Sequence, residues 1–287
     1  MTNNPFFAER RTNMNSIVQG KRIVVKVGTS TLTHSGGSIN LRSFDAIARV
    51  LSDIHNMGHE VILVSSGAIA VGACKLNMKE RPENLEQKQA AASVGQCELM
   101  HLYDKFFGEY GKTVGQILLT GDDVGDKTIR QNLINTFNAL TALGVIPIVN
   151  ENDSVSFAEI ETQAAGHKVL GDNDNLSAIV AVLCEADMLI LLSDIDGLYD
   201  GNPTETESPR LIREVRVIDE SILALAGGVG TSRGTGGMIT KLESARLAIE
   251  NGIDMVISNG AKPELLYEIV NNQPVGTLFV GKKGVKK

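Results

Sequence analysis

Apolar residues along this chain come in two rhythms. Short runs such as RIVVKV at 22–27, EVILVSS at 60–66, TVGQILLT at 113–120, VIPIVNEN at 145–152 and MLILLSD at 188–194 read as strands. Runs like VILV and LILL lack period-2 alternation, as strands covered on both faces should. Between them lie longer stretches with helical spacing: LRSFDAIARVLSDIHNMG, QKQAAASVGQCELMHLYDKFF, QNLINTFNALTALG and LSAIVAVLCEA. A hairpin-like stretch reaches RLIREVRVID, followed by a helix predicted over Met238–Asn251, a strand in DMVISNG, a last helix and a strand in TLFVG. Strand–helix–strand alternation implies parallel strands joined by right-handed crossovers. The expected fold class is therefore α/β, a three-layer α/β/α sandwich with a mainly parallel central sheet.

Ligands of such sheets sit beyond the carboxyl ends of the strands. In this chain those ends read KVGTS, SSGAI, NENDS and LSDIDG, all small and polar. Lys26 closes the first strand and precedes Gly28, Thr29 and Ser30. The lysine could simply reach for water, or the loop could offer N–H groups to phosphate oxygens. Ser66 and Gly67 repeat the arrangement; a helix N-cap is the plain alternative. GTGGMITK, Gly234–Lys241, is neither a Walker A loop nor a GxGxxG fingerprint, since Thr240 and Ile239 stand where glycines belong. It remains a flexible loop leading a lysine into a helix.

The stretch VLGDNDN at 169–175 places four polar residues at the mouth of an apolar helix, more than capping requires. A buried ammonium is costly unless paired, so Asp174 could hold both Lys26 and Lys241 as a charge organiser. DNDN is not an EF-hand loop, for the glycine and glutamate of that motif do not follow. His55 and His59 lack the glutamate of HExxH, so zinc is not expected there.

Composition narrows the classes. Of 287 residues 43% are hydrophobic and 21% charged, ordinary globular values, and the net charge of −7 argues against general nucleic-acid or anionic-membrane binding. Cys74, Cys97 and Cys184 are far apart without CxxC spacing and read as buried thiols of a reducing compartment. No run reaches the ~18 apolar residues of a membrane span, and the first twenty residues lack a secretory h-region. A cytoplasmic protein with a flexible arm at 1–20 and one domain at 21–287 is expected. The connection from Asp153 to Gly171 is either a functional flap or a lobe boundary.

KVGTSTLT, VSSGAIAVG, QILLT, PIVNENDSV, GDNDNLSAIVA, LSDIDGLY and GTGGMITK resemble, in this order, the motifs of the amino acid kinase family. The match runs from about Lys21 to Phe279. NEND followed by GDNDN resembles most the members that phosphorylate the side-chain carboxylate of glutamate in proline biosynthesis. Acetylglutamate, aspartate, carbamate and uridylate kinases share the lysine–glycine opening but differ at the acceptor motifs. A non-catalytic nucleotide or amino-acid sensor is the other alternative.

The resemblance implies an acceptor-binding lobe at about 21–168 and an ATP-binding lobe at about 169–287. It implies catalytic roles for Lys26, Asp174 and Lys241, and glutamate contacts from Ser66, Gly67, Asp153 and Asn173. Nucleotide contacts would come from Lys26, Gly28, Thr29, Ser193, Asp194 and the run Thr235, Gly236, Gly237, Met238, Ile239, Thr240 and Lys241. Mg²⁺ would arrive with ATP, with no residue of the chain assigned as a metal ligand. Proline as feedback inhibitor and a homodimer or homotetramer are implied in the same way. Many members carry Thr where Ser193 stands, and the segment after Asp153 is longer than in typical bacterial members. Many append a C-terminal PUA domain; a kinase domain without one is expected here.

Overall fold

The computed structural model describes residues 20–34, 37–80, 82–155, 173–201, 208–226 and 237–282. In chain order the elements are β1 (Arg22–Val27), α1 (Thr29–Leu32), α2 (Leu41–Asn56), β2 (Glu60–Ser65), α3 (Ala68–Lys75), α4 (Leu85–Glu109) and β3 (Val114–Leu119). Then come α5 (Gly121–Gly125), α6 (Lys127–Ala142), β4 (Ile146–Glu151), α7 (Asn173–Leu183) and β5 (Met188–Ser193). The chain continues with β6 (Glu214–Val215), α8 (Glu220–Ala226), α9 (Met238–Glu250), β7 (Asp254–Asn259), α10 (Leu265–Val270) and β8 (Thr277–Phe279).

The eight strands form one sheet in the order β3-β4-β2-β1-β5-β7-β8-β6. Every neighbouring pair is parallel except β7 with β8. The stretch expected as a hairpin closes only through the antiparallel bridge Tyr199–Leu211, and its next strand, β6, joins β8 in parallel instead. The chain builds outward from β1 on one side, then crosses back to lay β5 on the other. Strand order thus reverses at β1, where open α/β sheets form their ligand crevice.

Side-chain parity assigns the layers, because successive residues of a strand point to opposite faces. Ile23, Val25 and Val27 enter a core with α2, α4 and α10, whereas Val24 enters the opposite core with α7 and α9. The α/β/α sandwich follows, with β2 and β5 buried along nearly their whole length. The same parity puts the side chain of Lys26 on the α7/α9 face and that of Ser65 on the α4 face. Only glycines permit the closest helix contact: a Cβ on Gly95 would lie 1.8 Å from the Ala68 carbonyl oxygen, and one on Gly72 1.7 Å from that of Ala91. Both obstacles are backbone and cannot swing aside. Gly95→Ala should therefore lower unfolding stability by about 1–3 kcal/mol. An unchanged urea midpoint would show that α3 and α4 can separate freely.

One expectation needs correction. Of the thiols only Cys184 is buried; Cys74 is half-buried and Cys97 exposed, all three without disulfides. Helical spacing turns Cys97 outward beside Ser93, away from the buried stripe of Ala91, Ala92, Gly95 and Leu99. The N-cap of α3 is Gly67, at φ +97°. Such a left-handed residue favours glycine, and it releases both serine side chains for other partners. Among the described residues no helix is long and apolar enough to cross a membrane.

Candidate active site

Lys26, Asp174 and Lys241 meet at the carboxyl end of β1. Lys26 Nζ lies 2.6 Å from Asp174 Oδ1, and Lys241 Nζ donates to Asp174 Oδ2 at 3.0 Å. All three are buried, with Asp174 only 1% exposed. Thr240 adds a longer hydroxyl contact to Oδ2 at 3.3 Å. Burial acts to raise the Asp174 pKa, but the ammonium groups of Lys26 and Lys241 outweigh it and hold the carboxyl below its ordinary value. Its place in the first turn of α7, where the helix dipole favours an anion, works the same way. A cluster of two cations on one anion carries a net positive charge, and it suits a phosphoryl group better than it suits an empty site.

Within the polar cluster that opens α7, the two described asparagines each have partners. Asn173 Nδ2 donates to Ser65 O at 2.8 Å, Ser66 Oγ at 2.7 Å and Asn150 Oδ1 at 3.0 Å. Asn175 Oδ1 accepts from Ser244 Oγ of α9 at 3.0 Å. Asn173, Asp174 and Asn175 therefore tie α7 to β2, β4, β1 and α9. Gly171 and Asp172 lie outside the described residues, as do Thr235, Gly236 and most of the Asp153–Gly171 connection.

On the α4 side a cavity of about 450 Å³ opens at the ends of β3 and β4. Ala68, Gln96, Cys97 and Met100 line one side of it, Gln116, Asn152 and Asp153 the other. Ser66 and Gly67 immediately precede Ala68, and an added Cβ on Gly67 would meet Thr29 Cγ2 at 3.6 Å, so the two glycine loops face each other. Ser66 Oγ accepts from Asn173 and keeps its own proton to donate. Asn173 thus stands between the cavity and the charged cluster.

Sequence reasoning missed the supports of this wall. Asn150 is 1% exposed and donates through Nδ2 to Gln96 Oε1 at 2.9 Å. Ser65 Oγ pairs with the phenol of buried Tyr103 at 2.8 Å, and burial pushes that phenol's pKa up. A signal existed for Gln96, since it interrupts the stripe Ala92–Gln96–Met100, spaced by four along α4 and otherwise apolar. Its partner Asn150 opens the NEND motif at the end of β4, a signal that placed it at a site without saying what it bonds.

Gly28 caps α1, and a Cβ there would approach Lys26 Nζ at 3.6 Å; Thr29 follows it, half-buried. Ser193, 7% exposed at the end of β5, donates to Asp194 Oδ1 at 3.0 Å. Gly237 is the N-cap of α9, followed by Met238 and by Ile239, which is 51% exposed. Among the described residues no group of three or more His, Cys, Asp or Glu is arranged to hold a metal ion.

A sandwich in which a lysine from the central strand β1 and one from α9 are bridged by a single aspartate, flanked by glycine loops, points to a phosphotransferase. The family model described as the amino acid kinase family matches residues 21–259, and the chain belongs to that family. It is 54% identical over 269 residues to a glutamate 5-kinase of Clostridium perfringens, covering 94% of this chain and 98% of that protein. Against the glutamate 5-kinase of Listeria monocytogenes serotype 4a identity is 52% over 268 residues, 93% of this chain and 96% of the relative.

Among solved structures, carbamate kinase from Giardia lamblia bound to AMP-PNP superposes with a TM-score of 0.65 at 16% identity, covering 92% of this chain and 99% of the other. Isopentenyl phosphate kinase of T. acidophilum gives 0.58 at 17% identity, with 90% and 99% covered. At such identities these two establish the fold alone.

Proposed function

We propose that this protein transfers the γ-phosphoryl group of ATP to the side-chain carboxylate of L-glutamate, yielding ADP and L-glutamyl 5-phosphate, the first step of proline biosynthesis from glutamate. The observation that carries the chemistry is the Lys26–Asp174–Lys241 bridge beside a cavity rimmed by Asp153 and Gln96. The glutamate 5-kinase relatives, matched over more than nine-tenths of both chains, supply the substrate.

A free glutamate side chain has a pKa of about 4.3 and is ionised at neutral pH, so the acceptor needs no general base. A carboxylate oxygen attacks the γ-phosphorus, the new O–P bond forms, and the bond to the bridging oxygen breaks as ADP leaves. Two anions must be brought into line and the charge on the equatorial oxygens neutralised. In this reading Lys26 and Lys241 touch the migrating group while Asp174 holds them in place. Ser66, the Gly67 backbone, Asp153 and Asn173 hold glutamate. Gly28, Thr29, Ser193, Asp194 and the run from Thr235 to Lys241 contact the nucleotide.

Mg²⁺ would accompany ATP and would supply further neutralisation of phosphate charge, with no residue of this chain assigned to hold it. Both Asp174 oxygens face ammonium groups, so this chain's contribution to the centre is cationic. The lobes divide accordingly, acceptor at about 21–168 and ATP at about 169–287. Proline acting as feedback inhibitor at the acceptor side, assembly as a homodimer or homotetramer, and a cytoplasmic location complete the reading.

The test is ADP release with L-glutamate, ATP and Mg²⁺, with hydroxylamine present to trap the acyl phosphate as a hydroxamate. Turnover with acetylglutamate, aspartate or UMP but none with glutamate would overturn the substrate. Ligand-induced stabilisation without ADP release would overturn catalysis.

Gln96→Leu tests the acceptor wall. It strands the buried Asn150 amide, a defect of about 1–3 kcal/mol, and loosens Asn173 and Ser66 in turn. KM for glutamate should rise about tenfold, with KM for ATP unmoved. A parallel rise in both constants would mean the substitution had disturbed the whole fold.

A further inference from the structure

Gln96 and Tyr103 are seven residues apart in α4, about two helical turns, and so share one stripe of that helix. Gln96 serves Asn150, whereas the Tyr103 phenol meets Ser65 Oγ, at the end of β2, 2.8 Å away. The Tyr103 side chain is 1% exposed, and its ring packs against Phe44, centroids 5.0 Å apart, and against Phe107 at 6.3 Å. A phenylalanine would make the same ring contacts. The hydroxyl needs a separate reason.

The protons available fix the direction of its bonds. Ser65 Oγ also lies 3.2 Å from Ser66 O, a carbonyl oxygen that can only accept. Among the described residues the phenol has no hydrogen-bond partner besides Ser65. The phenol therefore donates to Ser65 Oγ, and Ser65 passes its own proton to Ser66 O. The reverse order would leave both the carbonyl contact and a buried phenol proton unmet, at the full cost of desolvation. Burial also holds the phenol above its ordinary pKa, so the donor stays protonated.

The relay ends on the peptide that enters the acceptor loop. Ser66 O and the Gly67 N–H belong to one planar unit, which is trans, so the two groups point to opposite sides. Holding the oxygen toward Ser65 directs the N–H away from it. One peptide earlier, Ser65 O accepts from Asn173 Nδ2 at 2.8 Å. Both peptides flanking Ser66 are thus held, one from α7 and one from α4. Gly67, at φ +97°, has no side chain to limit its torsions, so restraint from outside carries weight there.

We propose that Tyr103 is a positioning residue for the acceptor: through Ser65 its hydroxyl sets the Ser66–Gly67 peptide and aims the Gly67 N–H at a carboxylate of the acceptor. This rests on the proposed binding of glutamate by Ser66 and the Gly67 backbone. Tyr103 is enclosed by the core and acts only through Ser65.

The experiment compares wild type, Tyr103→Phe, Ser65→Ala and the double variant by steady-state kinetics, urea unfolding and the NMR amide resonance of Gly67 in the unliganded chain. KM for glutamate should rise about tenfold in each variant, as for the loss of one hydrogen bond, with KM for ATP unmoved. Members of one relay do not add, so the double variant should bind glutamate no worse than Ser65→Ala. Stability should behave differently. Ser65→Ala strands the buried phenol and lowers the urea midpoint, whereas the double variant removes both hydroxyls and recovers most of that loss. A KM that recovers together with the midpoint would reduce the pair to a packing element and overturn the proposal. A wild-type KM for glutamate in Tyr103→Phe, or additive effects in the double variant, would overturn it too. A wild-type chain unable to phosphorylate glutamate would sink the proposed function instead. The relay would still be read from Gly67, whose amide resonance Tyr103→Phe should shift; an unmoved resonance ends the relay.

Discussion

Lys26→Ala and Lys241→Ala are each expected to lower kcat by about 10²–10³, with KM for ATP changed far less. Both ammonium groups converge on one carboxylate, so each stands where charge on a transferring phosphoryl group would be met. An interaction stronger in the transition state than in the ground state appears in kcat, whereas uniform binding appears in KM. Fold should survive, since either substitution leaves Asp174 with the other lysine as a partner. Steady-state kinetics on the two variants and their double mutant would decide the matter. Near-wild-type turnover in either single variant would remove that lysine from the mechanism.

Asp174→Asn should do two separable things. It keeps size but strips the charge that holds two buried ammonium groups, so kcat should fall by orders of magnitude while ATP still binds. It also removes the carboxylate that Lys26 and Lys241 share, and removing one partner of such a buried arrangement costs about 3–5 kcal/mol. Nucleotide should restore part of that loss, because phosphate replaces the missing anion.

The pH dependence follows from the carboxyl's lowered pKa. A depressed carboxylate stabilises the fold fully above its ordinary value near 3.8 and loses that contribution as pH falls through the folded value. Urea unfolding of wild type and Asp174→Asn should thus differ most near neutrality and converge in acid. A stability gap independent of pH would assign the effect to packing. A normal kcat with raised KM would reduce Asp174 to a ligand contact.

Much of this protein was legible before any coordinates. Strand runs, their buried character, the helices between them and the polar loops at the strand ends all appear in the pattern, because local periodicity and side-chain volume write them directly into the chain. The lysine–aspartate convergence was anticipated on one electrostatic ground, that a buried ammonium group is costly unless it is paired. The exposed thiol of Cys97 was misread for an opposite reason. Exposure of Cys97 depends on which stripe of α4 meets α3.

What the chain alone determined was the set of parts and their facing: the parity of β1 sends Lys26 toward one layer whatever strand lies beside it. What only the tertiary structure decided was who meets whom. β5 joins β1 after a crossover from β4, α7 packs on α9, and a glutamine in α4 reaches an asparagine in β4 and through it Asn173. Contacts between residues so distant in sequence depend on strand order and helix packing, which are global minima of burial and pairing rather than properties of any local stretch.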